Sequence, residues 1–172
     1  LYLHERMQSK AWLQKTKFDE ARLDRGQAFV LFNCAIDSNR KDRTLIRHHF
    51  CSNTSAFPAV HCDAKKRDVT GDKDAWFEFY DDITRKYKFW IAPPGNCNGR
   101  KFCGAGHRVF EAASLGMVPI WQHDPFMDEI FPPDFPILKV SDWNQITNDY
   151  LVEMARGNFS NKALLYNWPV RN

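Results

Sequence analysis

The fold of this chain is decided by residues 87–121, which read YKFWIAPPGNCNGRKFCGAGHRVFEAASLGMVPIW. The strand predicted at 88–92 is short, apolar after Lys88, and stops at Pro93, which is typical of a buried strand. A glycine-rich stretch comes next, and then a predicted helix at 107–115 and a second apolar run at 117–121. Strand, loop, helix and strand in this order predict a parallel βαβ unit, whose loop lies at the carboxyl end of the first strand.

The segments on either side continue the alternation. Short apolar runs predict three more strands and helical patterns predict three more helices: strands at 28–32, 59–62 and 135–140, and helices at 40–50, 74–87 and 146–156. The complete order predicts an α/β fold with a doubly wound, mostly parallel sheet.

The pattern divides the chain into two segments. Residues 1–26 are assigned to an N-terminal helix or lead-in that ends at Gly26, and residues 27–172 to a single Rossmann-like domain.

On the helix at 40–50, we expect Leu45, Ile46 and Phe50 to face inward.

Composition and charge narrow the class of protein. The chain has 172 residues, of which 44% are hydrophobic and 26% charged, as in ordinary globular domains. The formal charge of +3 suits a small anionic ligand, and the basic residues are scattered rather than gathered in a stripe. We therefore predict no nucleic-acid partner.

The five cysteines fit no zinc-site spacing, so no metal site is predicted. Cys97 and Cys103 flank the glycine-rich loop, and both a bridge and two free thiols are compatible with the sequence. Two glycosylation sequons, at Asn53 and Asn158, permit a secretory location without establishing one.

The loop and the helix after it carry the candidate chemistry. Glycines let backbone amides approach a ligand, and the amino terminus of a helix favours an anion. Arg108 can add a charge-assisted contact to a diphosphate, and Glu111, three residues on, can accept hydrogen bonds from ribose hydroxyls. The plainer alternatives are a tight loop, a surface ion pair and a capping histidine at His107. The residues alone indicate an anion-binding α/β domain.

Residues 87–119 resemble the most distinctive block of the exostosin-like glycosyltransferases. That block has Lys-Phe and Pro-x-Gly before a short gap, and then His-Arg-x-aromatic-Glu-Ala, a glycine and an aliphatic-Pro-aliphatic run. The matching positions are Lys88, Phe89, Pro93, Gly95, His107, Arg108, Phe110, Glu111, Ala112, Gly116, Val118, Pro119 and Ile120. This chain departs from the pattern by the insertion of residues 97–106 in the gap.

The resemblance implies a GT-B glycosyltransferase and assigns roles to individual residues. Glu111 is expected to hold the ribose and Arg108 to meet the diphosphate. The loop residues Pro94, Gly95 and Asn96 are expected to border the nucleotide, together with His107. Arg43 is a further candidate for phosphate.

The resemblance also implies a substrate, partners and a location. The donor is a nucleotide sugar, commonly uridine-linked, and transfer is inverting with no other cofactor and no obligatory metal. The acceptor is a glycan or glycoprotein hydroxyl, and an N-terminal lobe absent from these residues, or supplied by a partner, would hold it. In a eukaryote the protein would act in the Golgi or secretory lumen. The alternative is a non-catalytic carbohydrate- or nucleotide-binding module, or a structural one, derived from the same fold.

Overall fold

A five-stranded sheet forms the centre of the domain. The computed structural model describes residues 18–33, 41–63, 73–94, 107–122, 135 and 137–157. The strands lie in the order β2-β1-β3-β4-β5, and every neighbouring pair is parallel. Their bounds are β1 Val30–Asn33, β2 Val60–Asp63, β3 Phe89–Ile91, β4 Val118–Gln122 and β5 Leu138–Val140.

Helices alternate with the strands from β1 to β4, and a last helix follows β5. They are α1 Ala21–Asp24, α2 Lys41–Cys51, α3 Lys73–Lys86, α4 His107–Ser114 and α5 Asn148–Arg156, with a 3-10 turn at Trp143–Gln145 before the last. The bounds of α2 to α5 agree with the predicted ones to within one or two residues at each end, which is the ordinary ambiguity of a helix terminus.

Helices cover both faces of the sheet because successive side chains of each strand point to opposite sides. Phe32, Phe89 and Ile120 share one apolar cluster with residues of α2 and α5. Leu31 and Trp90 point the other way, into a cluster with residues of α3 and α4. The predicted doubly wound α/β fold is confirmed, and within the described chain its sheet is parallel throughout.

The prediction that Leu45 faces inward was wrong. Ile46 and Phe50 are buried as expected, but the side chain of Leu45 is 69% exposed. Ile46 and Phe50 are four residues apart and so lie on one stripe of the helix. Leu45 points about 100° away from Ile46, because an α-helix has 3.6 residues per turn.

A disulfide links the end of α2 to β2. It joins Cys51 and Cys62, whose Cα atoms are 5.9 Å apart and which are 11 residues apart in sequence. Sequence reasoning did not single out this pair, because nothing in the spacing shows that the end of a helix returns beside the following strand. Cys97 and Cys103, the pair it did single out, lie outside the described residues.

Residues 18–26, the described part of the predicted N-terminal segment, pack on the sheet domain. The Asp19 N–H donates to the Arg85 carbonyl at 3.0 Å. Lys88 Nζ lies 3.2 Å from Glu20 Oε1 and donates to the Ala155 carbonyl at 2.7 Å. Residues 1–17 lie outside the described chain. Among the helices that the structure describes, none has the length and apolar character needed to cross a bilayer.

Candidate functional site

The strand order creates a crevice between β1 and β3. After β1 the chain passes to α2 on one face of the sheet, whereas after β3 it passes to α4 on the other face. Loops that diverge in this way leave an opening at the carboxyl ends of the two strands, and this is where open α/β sheets bind ligands. The segments after β3 that were predicted to bind, Pro94 and the start of α4, belong to this edge.

One hydrogen-bonded contact spans the crevice. Arg43, in the first turn of α2, donates from Nε and Nη2 to the Pro94 carbonyl, at 3.4 and 3.2 Å. The guanidinium therefore holds the chain that leaves β3 against the helix that follows β1. Gly95 and Asn96 lie outside the described residues.

A second polar contact lies at the same edge of the sheet. Asn33, the last residue of β1, is almost fully buried. Its Nδ2 donates to the Asp63 carboxylate, at the end of β2, over 3.2 Å. The sequence alone does not single out Asn33, because it is the parallel register of β1 and β2 that places these two strand ends side by side.

The helix α4 brings the predicted diphosphate and ribose residues together. Arg108 and Glu111 lie one turn apart, with Arg108 Nη1 4.0 Å from Glu111 Oε2. Their side chains are 24% and 15% exposed, so both are largely enclosed while each keeps an accessible part. His107 is the first residue of the helix, and its side chain lies outside the described part of the structure, as does the loop 95–106.

Arg108 packs on an aromatic ring of the sheet. Its guanidinium carbon lies 5.1 Å from the centroid of the Trp90 ring, and Trp90 is fully buried in the middle of β3. A guanidinium at this distance is attracted by the negative face of an indole ring. The contact restricts the conformations of Arg108 and fixes its charge at the start of α4.

Glu111 is held from the neighbouring helix. Tyr80 of α3 is buried, and its side chain makes a hydrogen bond with Glu111. Burial raises the pKa of the Tyr80 hydroxyl above its ordinary value, and the negative charge of Glu111 raises it further, while Arg108 acts in the opposite direction. The hydroxyl therefore stays protonated and donates to the carboxylate.

The sequence analysis did not single out Tyr80. The available signal was its phenolic oxygen, since a tyrosine at a buried position normally finds a hydrogen-bond partner. The identity of that partner depends on how α3 and α4 pack together, which a single sequence does not reveal.

The four side chains form a compact group, which we call the α4 anchor: Tyr80, Trp90, Arg108 and Glu111. The Arg108 guanidinium and the Glu111 carboxylate of this group lie one helical turn apart. The planar guanidinium suits phosphate oxygens, and the carboxylate accepts hydrogen bonds from hydroxyl groups.

Among the described residues there is no group of three or more His, Cys, Asp or Glu side chains that could hold a metal ion.

Gly116, one of the positions on which the family resemblance rests, stabilises the fold. Gly116 follows α4 with φ of 77°, and the Gly116 and Met117 N–H groups donate to the carbonyls of Ala113 and Ala112. This pattern closes the end of the helix and requires a left-handed residue, for which glycine is preferred. Lys88 lies at the amino end of β3, on the edge of the sheet opposite the crevice.

Other charged side chains lie elsewhere. Asp81 pairs with Arg85 at 2.6 Å and Asp82 with Lys86 at 2.7 Å, each four residues along α3 and substantially exposed. These pairs belong to the solvated face of the helix.

No protein-family model matches this chain, and no curated protein is significantly similar to it. The exostosin-like resemblance and the roles that it implies therefore stay predictions. Support for a function comes from the geometry of the described residues.

Proposed function

We propose that this chain is the donor-binding domain of a two-lobed, inverting glycosyltransferase that uses a nucleotide sugar. One observation carries the proposal: Arg108 and Glu111 project from the first turns of the helix that follows β3, beside the β1/β3 crevice, and each is held by its own buried partner. A surface ion pair needs no such anchoring, whereas a binding site benefits from groups fixed before the ligand arrives.

In this proposal the two side chains recognise different parts of one ligand. Arg108 donates to the diphosphate, and Glu111 accepts from the ribose hydroxyls. Pro94, Gly95 and Asn96 border the nucleotide, with His107 beside them. Arg43 donates to the Pro94 carbonyl and so positions this border of the site. We also propose that Arg43 contacts a phosphate group directly.

The reaction is a substitution at the anomeric carbon of the donor. The acceptor oxygen forms a bond to that carbon from the opposite side, the carbon–oxygen bond to the diphosphate breaks, and configuration inverts. The bonding electron pair leaves with the nucleoside diphosphate, where the Arg108 charge stabilises it without requiring a metal ion. A base on the second lobe takes the acceptor proton, and the acceptor is a glycan or protein hydroxyl.

The location proposed is the secretory lumen, the Golgi in a eukaryote. The Cys51–Cys62 bridge supports it, because protein disulfides persist in oxidising compartments and are rare in the cytosol. The uridine-linked donor rests on the family resemblance alone.

Calorimetric titration of the purified chain with uridine and guanosine diphosphates tests the proposal. We expect saturable binding of one nucleotide, lost or weakened at least tenfold in Arg108→Ala and Glu111→Ala. Arg85→Ala is the matched control, since it removes an arginine from an exposed ion pair one helix away, and it should bind normally. A folded chain that binds neither nucleotide would favour the non-catalytic or structural alternative.

A further inference from the structure

The turn between α2 and β2 contains one of the two sequons, Asn53-Thr54-Ser55. All three residues are exposed, and Ala56 follows them, so no proline lies within or directly after the triplet. An Asn-x-Ser triplet is an acceptor for N-linked glycans only where the chain is reachable from solvent. This turn satisfies that requirement.

The side-chain geometry of Asn53 presents its nitrogen outward. The Ala56 N–H donates to Asn53 Oδ1 at 3.1 Å, and the Ser55 hydroxyl donates to the same oxygen at 2.7 Å. A backbone N–H can only donate, so the atom that faces it must be the amide oxygen. Nδ2 is therefore directed away from the turn, and a serine hydroxyl lies on the carbonyl of the amide that would react.

A second observation concerns the compartment. The Cys51–Cys62 bridge begins two residues before Asn53 and closes the loop that contains the sequon. A bridged pair of cysteines indicates an oxidising compartment, and in eukaryotes that compartment is also where sequons meet the glycosylation machinery. The turn therefore contains the acceptor asparagine, and the bridge beside it indicates the compartment in which that asparagine would be modified.

We infer that Asn53 carries an N-linked glycan. Nδ2 forms a bond to the anomeric carbon of an oligosaccharide attached to a polyprenyl diphosphate. The carbon–oxygen bond to the diphosphate breaks, the polyprenyl diphosphate leaves with the electron pair, and Nδ2 gives up one proton to a base of the enzyme that makes the transfer. The donor is supplied by the membrane of the compartment, and the reaction needs no oxidant or reductant.

The glycan and the nucleotide site lie at opposite edges of the sheet. The turn follows the carboxyl end of α2 and precedes β2, so it lies at the amino ends of the strands. The α4 anchor belongs to the edge at which the strands end. A glycan on Asn53 therefore leaves the crevice open, and this inference stands independently of the proposed transferase activity.

The test directs the chain into the secretory lumen of cultured eukaryotic cells and analyses both cells and medium. Peptide-N-glycosidase should increase electrophoretic mobility and convert Asn53 to Asp, seen as a gain of about 1 Da in the peptide, because the enzyme hydrolyses the amide. Asn53→Gln and Ser55→Ala should abolish modification at this position. Ser55→Thr, which keeps the hydroxyl, should retain it.

Asn158→Gln is the matched control, since it removes the other sequon and should leave the Asn53 glycan in place. The inference is overturned if the Asn53 peptide of the wild-type chain is recovered unmodified before glycosidase treatment. It is equally overturned if Ser55→Ala is glycosylated at Asn53 as fully as the wild type. Nucleotide titration of glycosylated and deglycosylated protein should give the same dissociation constant within twofold.

Discussion

The Arg108 guanidinium lies 5.1 Å from the centroid of the fully buried Trp90 ring, so the charge at the start of α4 rests on the central strand of the sheet. This contact links the core to the candidate site. It also distinguishes Arg108 from Arg85, whose ion pair with Asp81 lies on an exposed helix surface.

Replacing Trp90 should therefore disturb both stability and binding. Trp90→Phe leaves a smaller ring under Arg108 and empty space in the core, and it should cost about 2 kcal/mol of unfolding free energy. Uridine diphosphate affinity should fall about fivefold, because the guanidinium loses part of its support. Calorimetry on folded protein measures this.

Trp121→Phe provides the control, because Trp121 is as deeply buried on β4. It should lower stability by a similar amount with a smaller effect on affinity. Equal losses of affinity in the two variants would show that Arg108 does not depend on its stacking partner.

Removing the Tyr80 hydroxyl tests whether Glu111 must be held in place. Tyr80→Phe keeps the packing of α3 against the sheet and deletes the hydrogen bond to the carboxylate. Such a bond is worth about 1.5 kcal/mol when one partner is charged. We expect nucleotide affinity to fall by about fivefold to tenfold, with Tyr87→Phe as a control for loss of a tyrosine hydroxyl. Unchanged affinity in Tyr80→Phe would refute a positioning role.

The same tyrosine predicts a pH dependence of stability. Its folded-state pKa is raised above the ordinary value of 10.0, with burial as the main cause. Above pH 10 the unfolded chain loses this proton while the folded chain keeps it, so the folded state binds more protons and stability falls as pH rises. The free energy of unfolding should fall by about 1.4 kcal/mol per pH unit because of this one group.

Urea unfolding of the wild type and of Tyr80→Phe between pH 9 and pH 11 isolates this contribution. The variant should show the shallower decline. Parallel curves would mean that the tyrosine titrates alike in the folded and unfolded chains.

The Cys51–Cys62 bridge should stabilise the fold chiefly by restricting the unfolded chain. The pair closes a loop of 11 residues, for which the entropic estimate is about 3 kcal/mol. Replacing both cysteines with serine should lower the unfolding free energy by roughly that amount. The wild type should lose as much on reduction, whereas the double variant should be insensitive to reductant. A reductant-insensitive wild type would contradict this expectation.

The fold was largely predictable because the signals that specify it are local. Strands β1, β3 and β4 are short, largely apolar runs buried on both sides, and Gly26 and Gly116 mark helix ends where φ is positive. The adjacency of Arg108 and Glu111 also followed from helical spacing. These features need only a few neighbouring residues to be recognised.

The features that could not be predicted depend on contacts between distant segments. The exposure of Leu45 depends on how α2 is rotated against the sheet, and the bridge of Cys51 to Cys62 on where β2 returns. The hydrogen bond from Tyr80 to Glu111 requires the packing of two helices. Spacing within one segment carries none of this information.

We propose above all that Glu111 recognises the ribose of a bound nucleotide. The most direct test compares the affinities of the wild type and Glu111→Ala for uridine diphosphate and for its 2′,3′-dideoxy analogue. The wild type should bind uridine diphosphate at least tenfold more tightly than the analogue. Glu111→Ala should bind the two ligands equally, and its affinity for each should match the affinity of the wild type for the analogue. A variant that still prefers uridine diphosphate by the full factor would contradict the claim.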